Sequence, residues 1–151
     1  MHISEVTENK KQYLELLLLA DEQEDMIDRY LGRGRMFILD DGGVKAECVV
    51  TDEGNGILEL KNIAVKSDYH RCGYGKALIE HVADAFRDKY LTLQVGTGDV
   101  PSSLGFYGKC GFAVSGRVKN FFTDNYDHLM FEDGIQLVDM VYLTRSLNRL
   151  T

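Results

Sequence analysis

Apolar positions along the chain follow two periods, and together they predict a mixed α/β fold. Strand-like alternation or continuous apolar character occurs at 2–6, 36–39, 44–51, 57–65, 90–95, 112–119 and 138–145,. Apolar residues recur at helical spacing at 9–20, 77–86 and 101–110, and a shorter helix capped by Asp21 is expected through Leu31,. The predicted order is therefore β, α, α, β, β, β, α, β, α, β, β.

Glycine-rich turns indicate how the strands pair. Asp40-Asp41-Gly42-Gly43 and Glu53-Gly54-Asn55-Gly56 connect three strand-like runs, and glycine tolerates the positive φ that such turns need,. The three runs are expected to pair antiparallel, whereas the strand at 90–95 follows a helical crossover and is expected to pair in parallel. We expect residues 1–151 to form one domain, with a mixed, mainly antiparallel central sheet and flanking helices.

Charge and composition narrow the possible partners. The formal net charge is −7, which argues against nucleic acid because nucleic-acid binding needs a basic face,. The longest purely apolar run, 16–20, is too short to cross a bilayer, and the N-terminus shows no secretory pattern; no membrane association and a cytoplasmic location are expected,. Cys48, Cys72 and Cys110 lack metal-ligand spacing, so reduced thiols and no metal are expected,.

A glycine-rich segment, His70-Arg71-Cys72-Gly73-Tyr74-Gly75, lies between a strand and a helix. The strand 57–65 and a short polar turn precede it, and the helix 77–86 follows it. This order directs unpaired backbone N–H groups and the positive end of the helix dipole at one point, which suits a phosphate or pyrophosphate. A P-loop is excluded because Ala77 stands where a hydroxyl is needed. A dinucleotide fingerprint is excluded because Leu78 replaces its third glycine and the turn lies mid-chain.

The remaining pattern joins Leu60-Lys61-Asn62-Ile63-Ala64-Val65 to the glycine turn. It resembles the acyl-coenzyme A signature of the GNAT N-acetyltransferases. A second segment, Ser103-Leu104-Gly105-Phe106-Tyr107-Gly108-Lys109-Cys110-Gly111-Phe112, is similar to the family's helix-to-strand signature. Because both segments occur in order, and the predicted elements follow the family's order, the chain resembles this family along nearly its whole length. The segments at 94–98, 102–112 and 131–140 also look like those of its small bacterial branch.

The resemblance implies acetyl-CoA as co-substrate and a GNAT-like fold with a splayed parallel strand pair. Backbone groups at the end of the central strand would bind the thioester and pantetheine, and the glycine turn would bind the pyrophosphate. His70 replaces the family's usual Gln or Arg, and either adds positive charge or has no role. Asp99 stands near a pantetheine-binding asparagine of the family, with capping of the helix at Pro101 as its alternative. The implied coenzyme-binding residues are Ile63, Ala64, Val65, His70, Arg71, Cys72, Gly73, Tyr74, Gly75, Lys76 and Asp99.

Tyr107 is the side chain that the resemblance assigns to the leaving group. The tyrosine of this segment faces the coenzyme A sulfur in the family, and a phenol can donate a hydrogen bond or a proton to a departing thiolate. Aromatic packing at a helix end is the alternative role. Phe106, beside it, is expected in the core.

Glu59 is the candidate general base, because some members of the family carry a glutamate at the matching position. Strand alternation places Glu59 on the face of Ile63, opposite Asn62. A partly buried carboxylate on a cleft-lining face could accept a proton directly or through water. An ion pair with Lys61 or Lys45 is the alternative.

The segment 120–134, NFFTDNYDHLMFEDG, is longer than most loops and combines aromatic rings with carboxylates,. Such a composition suits a cationic, partly apolar amine. Phe121, Phe122, Asp124 and Tyr126 are therefore candidate substrate-binding residues. A homodimer contact through the same rings is a compatible alternative.

The resemblance thus implies a metal-free N-acetyltransferase. It would transfer the acetyl group of acetyl-CoA to a primary amine of a small molecule by direct attack in a ternary complex. Two other functions stay open: a non-catalytic acyl-CoA-binding or sensing module, and acetylation of a protein lysine or N-terminus.

Overall fold

The structure, a computed structural model, describes residues 1–148. Its strands are β1 (His2–Val6), β2 (Arg35–Asp40), β3 (Val44–Asp52), β4 (Ile57–Val65), β5 (Thr92–Gly98), β6 (Ala113–Val118), β7 (Phe131–Glu132), β8 (Ile135–Gln136) and β9 (Met140–Ser146). Its α-helices are α1 (Leu14–Ala20), α2 (Glu24–Ile27), α3 (Tyr74–Phe86), α4 (Pro101–Lys109) and α5 (Phe121–Asn125). The predicted order is confirmed, except that the segment expected as a loop at 120–134 contains α5 and β7, and β8 follows it.

Seven strands form one sheet in the order β1-β2-β3-β4-β5-β9-β6. All pairs in it are antiparallel except β4–β5, so the predicted mixed sheet is confirmed. The parallel pairing ends at Leu60 and Val95. Beyond that point β4 continues on β3 as far as Val65, and β5 continues on β9 as far as Gly98. The central strands therefore splay, and each has one edge that no strand within residues 1–148 covers.

A β-bulge in β4 changes which side chains share a face. Val49 pairs with Asn62 and Val50 pairs with Leu60, so Lys61 is the extra residue. A bulge shifts the alternation by one position. Asn62 therefore lies on the same face as Glu59, and the predicted placement of Glu59 with Ile63 is wrong.

The two faces of the sheet bury separate apolar clusters. The larger cluster packs α3 and part of α4 against one face, with Leu78, Ile79 and Val82 fully buried. The smaller cluster packs α1 and α2 against the other face, around Leu17 and Ile27. The second face is the one that carries Glu59 and Asn62, which places these polar side chains between the sheet and the short helices.

The region before β2 differs from its prediction. The expected helix at 9–20 begins as a 3-10 turn, Lys10–Tyr13, and only then becomes α1. Asp21 does not cap α2: it follows the last residue of α1, and Gln23 precedes α2 without a side-chain cap. The reason is that tyrosine hydroxyls bind the Asp21 carboxylate from two other segments.

Local sequence fixes the ends of α3 and α4. Gly73 precedes α3 at φ 83°, a left-handed conformation that glycine adopts without a Cβ clash,. Pro101 opens α4, and Gly111 follows it at φ 91°,. Within residues 1–148, no helix is both long enough and apolar enough to cross a membrane.

Candidate active site

A cavity of about 270 Å³ lies where β4 and β5 splay. Four parts of the chain line it: the ends of the splayed strands, residues of the α1–α2 region between 20 and 33, Tyr107 of α4, and residues between 121 and 142. Cavities at such a strand opening commonly bind ligands because polar backbone groups are accessible there. The predicted catalytic side chains, Tyr107 and Glu59, both line it.

Tyr107 is buried in the wall of the cavity, with 9% of its surface exposed. Its ring packs edge-on against Phe106 and Phe112, with centroid separations of 5.1 and 5.7 Å. Burial, together with the Glu132 carboxylate, raises the pKa of Tyr107 well above its ordinary value,. The phenol therefore keeps its proton and acts as a donor.

Glu59 is 4% exposed and both of its carboxylate oxygens have partners. Oε2 lies 2.8 Å from Lys61 Nζ, and Oε1 accepts a hydrogen bond from Gln94 Nε2 at 2.6 Å. The alternative ion pair with Lys61 is thus present, whereas Lys45 Nζ lies over the Tyr69 ring. A carboxylate has about four lone-pair sites, so two contacts leave it able to accept a further proton or water.

The glycine turn has the backbone shape expected of an anion site. Arg71 and Gly73 adopt φ of 67° and 83°, and the first backbone bond into α3 runs from the Ala77 N–H to the Gly73 carbonyl. Within the described chain, no backbone carbonyl accepts from the N–H groups of residues 71 to 76, which agrees with the free first turn of a helix. His70 Nε2 lies 3.1 Å from the Val65 carbonyl and ties the turn to the end of β4.

Tyr74 and Asp99, two of the predicted coenzyme-binding residues, have side-chain partners within the protein. The Tyr74 hydroxyl donates to Asp41 at 2.6 Å, which connects the start of α3 to the β2–β3 hairpin. Asp99 is exposed and forms an ion pair with Arg117 at 3.1 Å. The residue before α4 is Val100, with no side-chain cap, so the alternative role of Asp99 as a helix cap is wrong.

The aromatic segment divides into residues that reach the cavity and one that does not. Phe121, Phe122 and Tyr126 line it, with the Phe122 and Tyr126 rings stacked at 5.7 Å. Asp124 is exposed and does not line it. Helical spacing explains the division, because residues 121 and 122 of α5 face the cavity and the next two, 123 and 124, face solvent,.

Several polar residues that the sequence patterns did not single out as site residues also line the cavity, and three of them bear on its chemistry. Asp21 was expected as a helix cap, Tyr30 as a core residue and Glu132 only as one acid among several. Glu132 accepts from the Ser103 hydroxyl and faces Tyr107. No local signal marks any of the three, because their neighbours come from distant parts of the chain.

Comparison with known proteins decides the family. Residues 32–114, more than half of the chain, match the family model described as "Acetyltransferase (GNAT) domain". The chain belongs to the GNAT acetyltransferase family. The resemblance seen in the two sequence segments is thereby confirmed, and the splayed pair β4–β5 is the GNAT feature at the centre of the cavity.

Individual GNAT relatives cover nearly the whole chain. The chain is 36% identical over 143 residues to the uncharacterized N-acetyltransferase YvbK of Bacillus subtilis, covering 93% of this chain and 92% of that protein. A GNAT family acetyltransferase from Elizabethkingia anophelis, solved with acetyl-CoA bound, superposes with a TM-score of 0.90 at 33% identity and covers 96% and 97% of the two chains. A Bacillus subtilis acetyltransferase in complex with CoA gives a TM-score of 0.87 at 33% identity, with 97% and 99% covered.

Proposed function

We propose that this GNAT protein transfers the acetyl group of acetyl-CoA to a primary amine of a small molecule. The proposal depends on the cavity at the splayed strands. The buried phenol of Tyr107, the buried carboxylate of Glu59 and part of the aromatic segment all line it. The described side chains offer no arrangement of three or more His, Cys, Asp or Glu that would hold a metal ion. The proposed chemistry is direct attack of the amine in a ternary complex.

The residues present fit acetyl-CoA. The uncovered edge of β4 beyond Leu60 offers backbone groups of Ile63 and Val65 to the pantetheine, whereas those of Ala64 face β3,. The N–H groups from Arg71 to Lys76 are available to a pyrophosphate,. Acetyl-CoA supplies an activated thioester, whose acyl carbon accepts the amine nitrogen while the carbon–sulfur bond breaks. Titrated with acetyl-CoA at 100 times its Kd, the protein should gain about 2.7 kcal/mol of stability.

Tyr107 serves the leaving group in this proposal. A thiolate that forms in a buried site needs a hydrogen-bond donor, and the raised pKa of Tyr107 keeps its proton in place,. The Tyr107 hydroxyl donates to the developing thiolate. Glu132 beside it lowers the acidity of the phenol and so preserves the donor.

Glu59 receives the proton that the attacking amine must lose. Its carboxylate lines the cavity. An amine bound there would pass its proton to the carboxylate directly or through one water. Lys61 and Gln94 hold the carboxylate in place. The bulge at Lys61 is what brings this ion pair to the rim of the splay.

The proposal is tested by thiol release from acetyl-CoA in the presence of a panel of small amines. Amine-dependent thiol release, with mass-spectrometric detection of an acetylated amine, is the expected result. Stabilisation by acetyl-CoA without turnover on a broad panel would instead indicate a sensing module. Turnover confined to peptides with a free N-terminus or lysine would indicate a protein acetyltransferase.

We further propose a single-domain cytoplasmic protein that forms a homodimer and binds neither nucleic acid nor membrane. Its three cysteines are unpaired, as in a reducing compartment,. Leu129, Phe131 and Ile135 are exposed near the β7–β8 hairpin, and Val114 is exposed on the edge strand β6. Exposed apolar clusters often mark interfaces. Sedimentation equilibrium measures the mass, and a monomer at micromolar concentration would contradict the dimer.

A further inference from the structure

The residues that line the cavity include a buried carboxylate that forms no ion pair within the described chain. Asp21, directly after α1, is 8% exposed. Its Oδ1 accepts from the Tyr126 hydroxyl at 2.7 Å and its Oδ2 from the Tyr30 hydroxyl at 3.1 Å. None of the ion pairs within residues 1–148 includes it. Burying a carboxylate without a counter-charge is costly, so a partner from outside the chain would be favourable.

The cationic side chains that line the same cavity are engaged elsewhere. Lys61 pairs with Glu59 at 2.8 Å, and Arg33 pairs with Glu53 at 2.9 Å. Arg29 donates to the Asn125 side chain at 3.2 Å on the exposed side. None of these three cations forms an ion pair with Asp21, which leaves its carboxylate open to a cationic ligand.

Aromatic residues line the cavity beside this carboxylate. Tyr30 and Tyr126 donate to it, and the stacked ring of Phe122 extends the wall. Ring faces attract ammonium groups, and a carboxylate among rings adds the opposite charge. Together they form a site for an ammonium group on an otherwise apolar chain, and not for an anion.

The carboxylate is held at a defined place relative to the splay. Asn62 Nδ2 donates to the Leu17 carbonyl at 3.0 Å and to the Tyr30 hydroxyl at 3.0 Å, and the Tyr30 hydroxyl in turn donates to Asp21. The Leu17 carbonyl can only accept, which fixes the orientation of the Asn62 amide. Two hydrogen bonds and one side chain thus separate Asp21 from the β4 backbone, on the order of 10 Å at most.

We propose that Asp21 binds a second ammonium group of the acceptor, so that the substrate is a short diamine whose other nitrogen is acetylated at the splay. The inference rests on the proposed function and names its substrate class. Tyr30 and Tyr126 are positioning residues for the carboxylate, and Asn62 positions Tyr30. The aspartate thereby sets both which end of the acceptor enters first and how far the reacting nitrogen reaches.

The experiment compares two acceptors of equal length and different charge. We measure kcat and KM for 1,4-diaminobutane and for n-pentylamine, in which a methyl group replaces the second ammonium. In the natural sequence the diamine should have a KM lower by roughly 10-fold or more, as for a partly desolvated charge pair. Equal KM values for the two amines would overturn the proposal without any variant.

The variant Asp21→Asn preserves shape and removes the charge. It should raise the diamine KM by roughly 10- to 100-fold while leaving kcat and the n-pentylamine KM nearly unchanged. Asp28→Asn, at an exposed aspartate that pairs with Lys11 beside α2, is the charge-matched control and should keep the natural ratio. Parallel loss for both amines in Asp21→Asn would assign a purely structural role and overturn the proposal.

Direct binding separates failure of this inference from failure of the proposed function. Calorimetric titration of 1,4-diaminobutane into the CoA-bound protein should give heat that Asp21→Asn abolishes. Such binding without acetylation of any amine would contradict the proposed function and leave the ammonium site standing. Absence of diamine binding would overturn the ammonium site, whatever the turnover of monoamines.

Discussion

The coenzyme side and the acceptor side of the candidate site are built in different ways. The coenzyme side, residues 63–65 and 71–76, is one short stretch of chain whose proposed contacts come from backbone groups. The acceptor side consists of residues 20–33 and 121–142, and its polar groups are side chains from segments about a hundred positions apart, such as the Asp21–Tyr126 contact. Recognition on the first side depends on backbone conformation, and on the second side it depends on individual side chains.

This difference has a consequence for variation. A backbone site tolerates most side-chain changes but not changes of φ, whereas a side-chain site loses its selectivity with a single substitution. Coenzyme binding can therefore stay constant while the acceptor changes.

Tyr107, where the two sides meet, should give the largest effect. Tyr107→Phe removes the only group proposed to donate a hydrogen bond to the thiolate, so kcat should fall by roughly 10²- to 10³-fold. The KM for acetyl-CoA should change little, because backbone groups bind the coenzyme. Tyr90→Phe, whose hydroxyl contacts Asp52 away from the cavity, is the control. An unchanged kcat in Tyr107→Phe would remove the phenol from the chemistry.

Variants of Glu59 and Lys61 should show whether Glu59 acts as a general base or only as half of an ion pair. Glu59→Gln should lower kcat by about 10²-fold or more, because the amide cannot take the proton from the amine. Lys61→Met breaks the same ion pair but keeps the carboxylate, so its kcat should fall much less. Steady-state kinetics measure both variants. Equal losses would show that only the ion pair matters.

Gly73 and Gly105 offer a matched pair for the coenzyme side. An added Cβ meets no atom within 4 Å at either position, but only Gly73 has positive φ. Gly73→Ala should cost about 1–2 kcal/mol and weaken acetyl-CoA binding, while Gly105→Ala within α4 should add about 0.5–1 kcal/mol. Chemical denaturation and titration with acetyl-CoA measure the two effects. Full coenzyme affinity in Gly73→Ala would contradict a backbone site.

His128 should give the smallest effect, at the exposed rim of the acceptor side. Hydrogen bonds to Asp127 and Glu22 raise the pKa of His128. A raised pKa in the folded state stabilises the protein below the ordinary value near 6.5, and that contribution is lost as pH rises through the folded pKa. The melting temperature of the natural protein should therefore exceed that of His128→Gln at about pH 5.5, and the difference should shrink by about pH 9. A difference independent of pH would exclude this titration.

Several features of the fold could be predicted because they depend on near neighbours. The turn at Gly42-Gly43, the start of α4 at Pro101 and the extent of β4 are all encoded within a few residues. The face of Glu59 could not be predicted, since the bulge at Lys61 arises from pairing with β3. An alternating pattern of apolar and polar residues does not show where a strand contains an extra residue.

The candidate site divides in the same way. Tyr107 and the glycine turn belong to continuous motifs, so they could be predicted as site residues from the sequence. Asp21 was mistaken for a helix cap, because an aspartate before a helix usually is one. In the folded chain the hydroxyls of Tyr30 and Tyr126 donate to its carboxylate, which therefore lines the cavity and does not cap α2.

By itself, the sequence determined the family, the order of strands and helices, and the stretch of backbone proposed to bind the coenzyme. These depend on period, on turn residues and on conformational freedom, all of which are properties of adjacent residues. The tertiary structure alone decided the register of β4, the partners of Glu59 and the buried carboxylate of Asp21. Long-range pairing and burial set these features, because the energy of a polar side chain depends on which distant groups exclude water from it and which donate to it.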